Sequence, residues 1–168
     1  EFAQIPVNAN GWSSPYGTRF NPILKTYRRH SGIDYAAPTG TPIMAPADGV
    51  VSFAGVKGGY GNAIMLNHRK GMETLYGHMS AFVSGVSAGK SVKAGDVIGF
   101  VGSTGRSTGP HLHYEVRING QIVDPSTVAL PARTLNNTEL AAFKGRVKSA
   151  DQKIAAIRGL PVMVAQLD

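Results

Sequence analysis

Five histidines and one aspartate carry most of the chemistry open to this sequence: His30, Asp34, His68, His78, His111 and His113. His111 and His113 lie in the run Gly109-Pro110-His111-Leu112-His113-Tyr114-Glu115-Val116-Arg117-Ile118. After the proline the run alternates, with His111, His113, Glu115 and Arg117 on one side and Leu112, Tyr114, Val116 and Ile118 on the other. A strand has a period of two, so this reads as a half-buried strand whose polar face is exposed and carries two neighbouring imidazoles. His30 and Asp34 stand four apart, an even spacing that places both on one face of an extended segment, with Gly32 letting the backbone bend between them. Catalytic zinc takes three protein ligands from histidine and carboxylate and keeps one position for water, whose pKa it lowers to about 7. Two further histidines suffice for a hydrolase, one to take the proton of the water and one to stabilise the transition state. Spacing alone leaves open which of His111 and His113 binds the metal.

Each residue also has a plainer reading. His68 ends a strand beside Asn67 and Arg69, outside any ligand spacing, and is assigned to packing or the surface. Asp34 alone would serve as a turn carboxylate or as a partner of Arg28 or Arg29. Trp12, the single tryptophan, is assigned to the core.

The elements that must hold these residues are short and glycine-punctuated. Residues 3–29 read as irregular, with turns at Trp12–Gly17 and at Asn21-Pro22. From Ile33 onward, strand-like runs follow one another over 33–35, 41–45, 49–54, 63–68, 73–78 and 97–101, separated by turn residues such as Gly58-Gly59 and Arg69-Lys70-Gly71. Asn119-Gly120 closes the histidine strand as a tight hairpin turn. Strands at this spacing predict an antiparallel β-sandwich or barrel. Beyond Pro131 the pattern changes. Leu140, Phe143, Val147, Ala150, Ile154 and Ile157 recur at helical steps, which predicts a C-terminal amphipathic helix capped near Asn137 or Thr138 and stopped at Gly159.

Composition narrows the classes. With 42% hydrophobic and 16% charged residues, the chain can bury a core, and 168 residues make about one domain. There is no cysteine, so thiolate metal sites and disulfides are excluded and a metal must use His, Asp or Glu. The net charge of +7 favours anionic partners, but the charges are scattered and no RNA-binding aromatic motif or zinc-finger spacing accompanies them, so no nucleic-acid partner is expected. No stretch is apolar enough to span a membrane. The chain opens at Glu1 without Met or signal peptide and is read as a mature form or an excised fragment.

Taken with their order along the chain, these motifs closely resemble the LytM/lysostaphin-like zinc metallopeptidases of Gram-negative type. The resemblance rests on His30-Ser31-Gly32-Ile33-Asp34-Tyr35, Pro38-Thr39-Gly40-Thr41-Pro42, Ala47-Asp48-Gly49, Tyr60-Gly61-Asn62, Thr74-Leu75-Tyr76-Gly77-His78-Met79-Ser80, Gly95-Asp96-Val97-Ile98-Gly99 and Gly109–Glu115. Met79 stands where leucine is usual. The resemblance implies an all-β core of duplicated-hybrid-motif type over 13–130, preceded by a lead-in segment over 1–12 and followed by a helical tail over 131–168. It implies one zinc ion on His30, Asp34 and His113, with His111 as general base and His78 orienting water and steadying the oxyanion. The implied activity is endopeptidase cleavage of peptidoglycan cross-links, at D-alanyl–diaminopimelate bonds, in the periplasm or cell envelope. Such members are made with N-terminal regions that can cover the groove; without one, this chain is expected to be an exposed, active catalytic domain.

Two other classes compete. Some LytM-type domains have lost ligands and only activate other wall hydrolases, but here every ligand and both additional histidines are present. A biotinyl, lipoyl or phosphoryl carrier is suggested by the half-barrel-like runs at 43–51 and 92–98. Lys57 and Lys90 lack the setting a carrier lysine needs, and Asp34 goes unexplained.

Overall fold

The computed structural model describes residues 5–9, 11–21 and 25–128. Twelve strands are seen among them: β1 (Trp12–Ser14), β2 (Gly17–Asn21), β3 (Thr26–His30), β4 (Ile33–Ala36), β5 (Pro42–Met44), β6 (Gly49–Val56), β7 (Asn62–Asn67), β8 (Met72–Phe82), β9 (Ser91–Val92), β10 (Val97–Val101), β11 (His111–Ile118) and β12 (Gln121–Val123). Ten form one antiparallel sheet whose main path runs β1-β4-β11-β8-β7-β6-β9; β10 pairs with β5 and β8, and β12 with β11. β2 and β3 make a separate hairpin. The all-β antiparallel core expected from the sequence is therefore present. The helix expected over 137–158 lies outside the described residues.

The core follows from alternation. Leu112, Tyr114 and Val116 of β11 point into it, and so do Ile64 and Leu66 of β7 and Thr74, Tyr76 and Met79 of β8, all 3% exposed or less. Ile33, Ile43, Ile98 and Val101 complete it. The turn residues behave as their chemistry requires. Asn119 and Gly120 both take positive φ, 50° and 78°, the primed hairpin geometry that matches strand twist.

The N-terminal region corrects two expectations. The stretch over 3–29, read as irregular, contains β1, β2 and β3. Its strands are short, and Pro15 stands between the first two, so period-two alternation has too few residues to show itself. Trp12 is not a core residue: it lies 58% exposed on the edge strand β1. The apolar lead-in is instead Val7, which is buried and bridges to Ile43.

One glycine shows how closely the strands meet at the site. Gly32 separates β3 from β4, and a methyl group there would lie 2.3 Å from the Tyr114 carbonyl oxygen. The bend is therefore pressed against β11, and no side chain fits without moving backbone. Gly32→Ala is expected to destabilise the fold by about 1–3 kcal/mol, the usual range for overpacking, as read from the midpoint of chemical denaturation.

A candidate metal centre

β11 is the spine of the site. Its His113 stands opposite Asp34 of β4 on one side and Gly77 of β8 on the other, and directly opposed residues of antiparallel strands share a face. His30 enters at the end of β3, just before the Gly32 bend. His30, Asp34 and His113 each offer one ligand atom, all within 4.8 Å of one another. Asp34 Oδ1 lies 2.8 Å from His113 Nδ1 and 3.1 Å from His30 Nε2, and the two histidine nitrogens are 3.2 Å apart. His111 Nε2 is 3.8 Å from Asp34 Oδ1, outside hydrogen-bond range. Register brings His113 to the carboxylate, and His111, opposite Ala36, stands beside it.

The outer nitrogen of every one of these rings is committed. His30 Nδ1 donates to the Pro15 carbonyl at 2.8 Å, His111 Nδ1 to the Gly109 carbonyl at 2.8 Å and His78 Nδ1 to the Thr104 carbonyl at 2.7 Å. His113 Nε2 donates to Glu115 Oε1 at 3.1 Å. A carbonyl or carboxylate oxygen only accepts, so each committed nitrogen carries a proton. His78 and His111 then present a lone pair at Nε2. His30 Nε2 and His113 Nδ1 instead face the Asp34 carboxylate, to which a nitrogen can only donate, and would offer a lone pair where a metal takes the place of that proton. Metal-binding histidines are oriented in this way.

The polar face of β11 is not exposed, contrary to expectation. His113 is 6% exposed and Glu115 fully buried. Glu115 also accepts from the Tyr60 hydroxyl at 2.7 Å, from Arg117 at 3.0 Å and from the Ser31 hydroxyl. Burial alone would raise its carboxyl, but hydrogen bonds from His113, Ser31, Tyr60 and Arg117 hold it at about 2. Burial likewise opposes ionisation of Asp34, yet the hydrogen bonds and charges of His113 and His30 keep it well below the usual carboxylate range. Burial pulls His113 down, but Asp34 and Glu115 outweigh it and lift the ring to about 9. Two anions around one imidazole favour a cation there, a place that a proton or a divalent metal can fill. The donor set, two imidazoles and a carboxylate, is one that zinc accepts. The sequence signal for Glu115 is its two-residue offset from His113, which places both on one face of the strand.

His78 reaches the site through a bulge. β8 places Tyr76 and Met79 in the core, an odd spacing that requires one extra residue. The register against β7 shifts there, from Ile64↔Tyr76 to Asn62↔Met79, and His78 has φ of 61°. Bulges re-aim side chains in this manner. The loop Gly102–Gly109 holds the result. Thr104 Oγ1 donates to the Met79 carbonyl at 2.8 Å and accepts from the Asn62 amide at 3.0 Å. A methyl group on Gly105 would lie 2.3 Å from the Gly61 amide nitrogen, so the two loops interlock through bare backbone. Burial, with the charges of His111 and His113, holds His78 below the usual imidazole range. His68 takes no part. It is buried between the Asp48 carbonyl and the Thr74 hydroxyl, at 2.8 Å each, as its packing assignment expected.

These contacts set two outcomes. Glu115→Gln keeps the shape but removes the charge behind His113, and metal affinity is expected to fall roughly 10- to 100-fold in competition with a calibrated chelator. Because His113 keeps its proton up to about 9 without metal, metal uptake at neutral pH should release about one proton and weaken as pH falls. Titration calorimetry in buffers of differing ionisation enthalpy reads that release.

The site opens on a groove of about 860 Å³ lined by all four of these histidines and Asp34. Comparison with known proteins gives a consistent family. The chain is 60% identical over 156 residues to the DD-carboxypeptidase/endopeptidase Mpg of Neisseria meningitidis serogroup B, an alignment covering 93% of this chain and 36% of that protein. It is 37% identical over 155 residues to the peptidoglycan DD-endopeptidase ShyC of Vibrio cholerae, covering 91% of this chain and 35% of that protein. The chain therefore spans about a third of the length of these curated relatives. Among solved structures, a zinc-containing peptidase from Vibrio cholerae superposes with a TM-score of 0.71 at 33% identity, over 77% of this chain and 40% of that one. The sequence pattern of peptidase family M23 matches residues 28–125, from the strand that carries His30 to the end of the sheet, and the chain belongs to that family.

Proposed function

We propose that this chain is the catalytic domain of a zinc-dependent endopeptidase that hydrolyses peptide cross-links of peptidoglycan, at D-alanyl–diaminopimelate bonds, in the periplasm or cell envelope. The observation that carries the reading is the convergence of His30 Nε2, Asp34 Oδ1 and His113 Nδ1, with the Nε2 atoms of His78 and His111 uncommitted beside them. The names of the relatives support the bond class, and the zinc-containing neighbour supports the metal.

Bound zinc would supply a Lewis acid for the scissile carbonyl and a water acidic enough to attack at neutral pH. His30, Asp34 and His113 hold the ion. His111 is the general base: its Nδ1–H is fixed by Gly109, so Nε2 accepts the proton and can hand it to the leaving amine. His78 orients the water by accepting from it at Nε2. Steadying an oxyanion would require a proton on that nitrogen, which burial disfavours, so orientation is the role we assign to His78.

Purified cross-linked murein, digested with and without chelator and analysed by mass spectrometry, tests the reading. Conversion of cross-linked dimers to monomers, abolished by chelation and restored by zinc, is the expected result, and fragment masses locate the bond. Intact murein after incubation with the zinc-loaded protein would reject it. His111→Ala should lower kcat by about 10²- to 10⁴-fold, the range for removal of a positioned proton-transfer group, and His78→Ala should lower it as well, while zinc content by atomic emission stays at one per chain. Full cleavage by His111→Ala would remove that residue from the role of base.

A further inference from the structure

The groove carries more positive charge than a neutral peptide needs. Among the described residues, three arginines line it, Arg19, Arg29 and Arg106, and the only acidic residue in its lining is Asp34, which is engaged by His30 and His113. The arginines arrive from two sides of β11. Arg19 and Arg29 belong to the β2–β3 hairpin, whose second strand ends at His30. Arg106 belongs to the loop that packs on Gly59 and Gly61 at the β7–β8 side.

Their placement is tied to the same short segments that orient the histidines. Arg19 is bonded to the Ser14 hydroxyl, and Arg29 donates to the Tyr16 hydroxyl at 2.7 Å and lies 5.8 Å from the centre of its ring. Between Ser14 and Tyr16 stands Pro15, whose carbonyl fixes His30. On the other side, the Arg106 amide is anchored on the Gly59 carbonyl at 2.8 Å, two residues from Thr104, whose carbonyl fixes His78. The Arg106 guanidinium has no hydrogen-bond or ion-pair partner among the described residues, although it lines the groove. Guanidinium groups match carboxylates as two-pronged donors, and tethered ones have less conformational freedom to lose on binding.

Resting on the endopeptidase reading, we infer that Arg19, Arg29 and Arg106 form a carboxylate-recognition subsite, so the preferred substrate is a peptide with free carboxylates flanking the scissile amide. Diaminopimelate linked through one amine has such a group on the carbon that bears the scissile nitrogen. Amidation of that carboxylate removes the charge the arginines would meet.

The test compares kcat/KM of the zinc-loaded protein on two synthetic D-alanyl–diaminopimelate peptides, one with free carboxylates and one with the same groups amidated. Hydrogen bonds to charged groups at a partly exposed site predict a preference of about tenfold for the free acid, carried mainly by KM. Arg106→Gln and the pair Arg19→Gln with Arg29→Gln should each shrink that ratio toward one. Arg106→Lys, which keeps the charge but loses the fork, should fall between. Lys90→Gln, which makes the same change in net charge outside the groove, should leave the ratio where it was. Equal cleavage of both peptides by the unmutated protein would overturn the subsite and leave the endopeptidase reading standing. A preference that survives in every arginine variant would overturn the assignment to these residues. Cleavage of neither peptide would overturn the endopeptidase reading and this inference with it.

Discussion

The interaction on which the rest depends is the sharing of His113 between two buried carboxylates, Asp34 and Glu115. An isolated carboxylate inside a sheet costs several kcal/mol, and only charge and hydrogen bonding of matching quality offset that cost. The chain meets the requirement in two different ways. Glu115 is satisfied completely from within, by Ser31, Tyr60, Arg117 and His113. Among the described residues, the hydrogen bonds to the Asp34 carboxylate come from the two imidazoles that face it. The first carboxylate is a fixed anion that holds His113 by Nε2 and leaves Nδ1 facing inward; the second, together with the two imidazoles, is placed to take a cation.

That electrostatic demand explains why so much of the backbone geometry is unusual around one strand. β11 has to bring His113 opposite Asp34 and Gly77 at once, which fixes its register on both sides. The Gly32 bend must then pass against the Tyr114 carbonyl to deliver His30. On the other flank, His78 needs the β8 bulge and a left-handed backbone, a conformation that a non-glycine residue holds only where its surroundings enforce it. The Thr104 hydroxyl and carbonyl, one clamping the bulge and the other the ring, are that enforcement.

How much of this could be read beforehand divides along physical lines. Which side chains share a face of β11 is legible, because strand period is local and groups His111, His113 and Glu115; His30 and Asp34 lie on different strands, and the Gly32 bend rather than period two brings them together. How deeply the β11 face is buried is not legible, because depth depends on what covers it. Tyr60 and Ser31 come from segments distant in sequence, and β1 to β3 were too short to announce themselves as strands. Trp12 misled for a similar reason. A large aromatic is usually buried, but an edge strand can leave one exposed, and its neighbours in space decide. The position of His78 relied on resemblance alone, since a bulge reverses the very alternation from which facing is inferred.

The division of labour among the histidines follows from distance to Asp34 more than from their outer hydrogen bonds. His30 and His111 have the same kind of partner, a backbone carbonyl on Nδ1 at 2.8 Å. Yet His30 Nε2 reaches Asp34 at 3.1 Å, and His111 Nε2 stops at 3.8 Å. A gap of that size is too long for a direct hydrogen bond. An imidazole held there is near enough to feel the carboxylate but is not consumed by it. Its Nε2 therefore stays available for a proton, while His30 Nε2 and His113 Nδ1, which converge with Asp34 Oδ1, are placed to hold a metal. One strand register and one glycine bend are sufficient to give chemically identical rings different work.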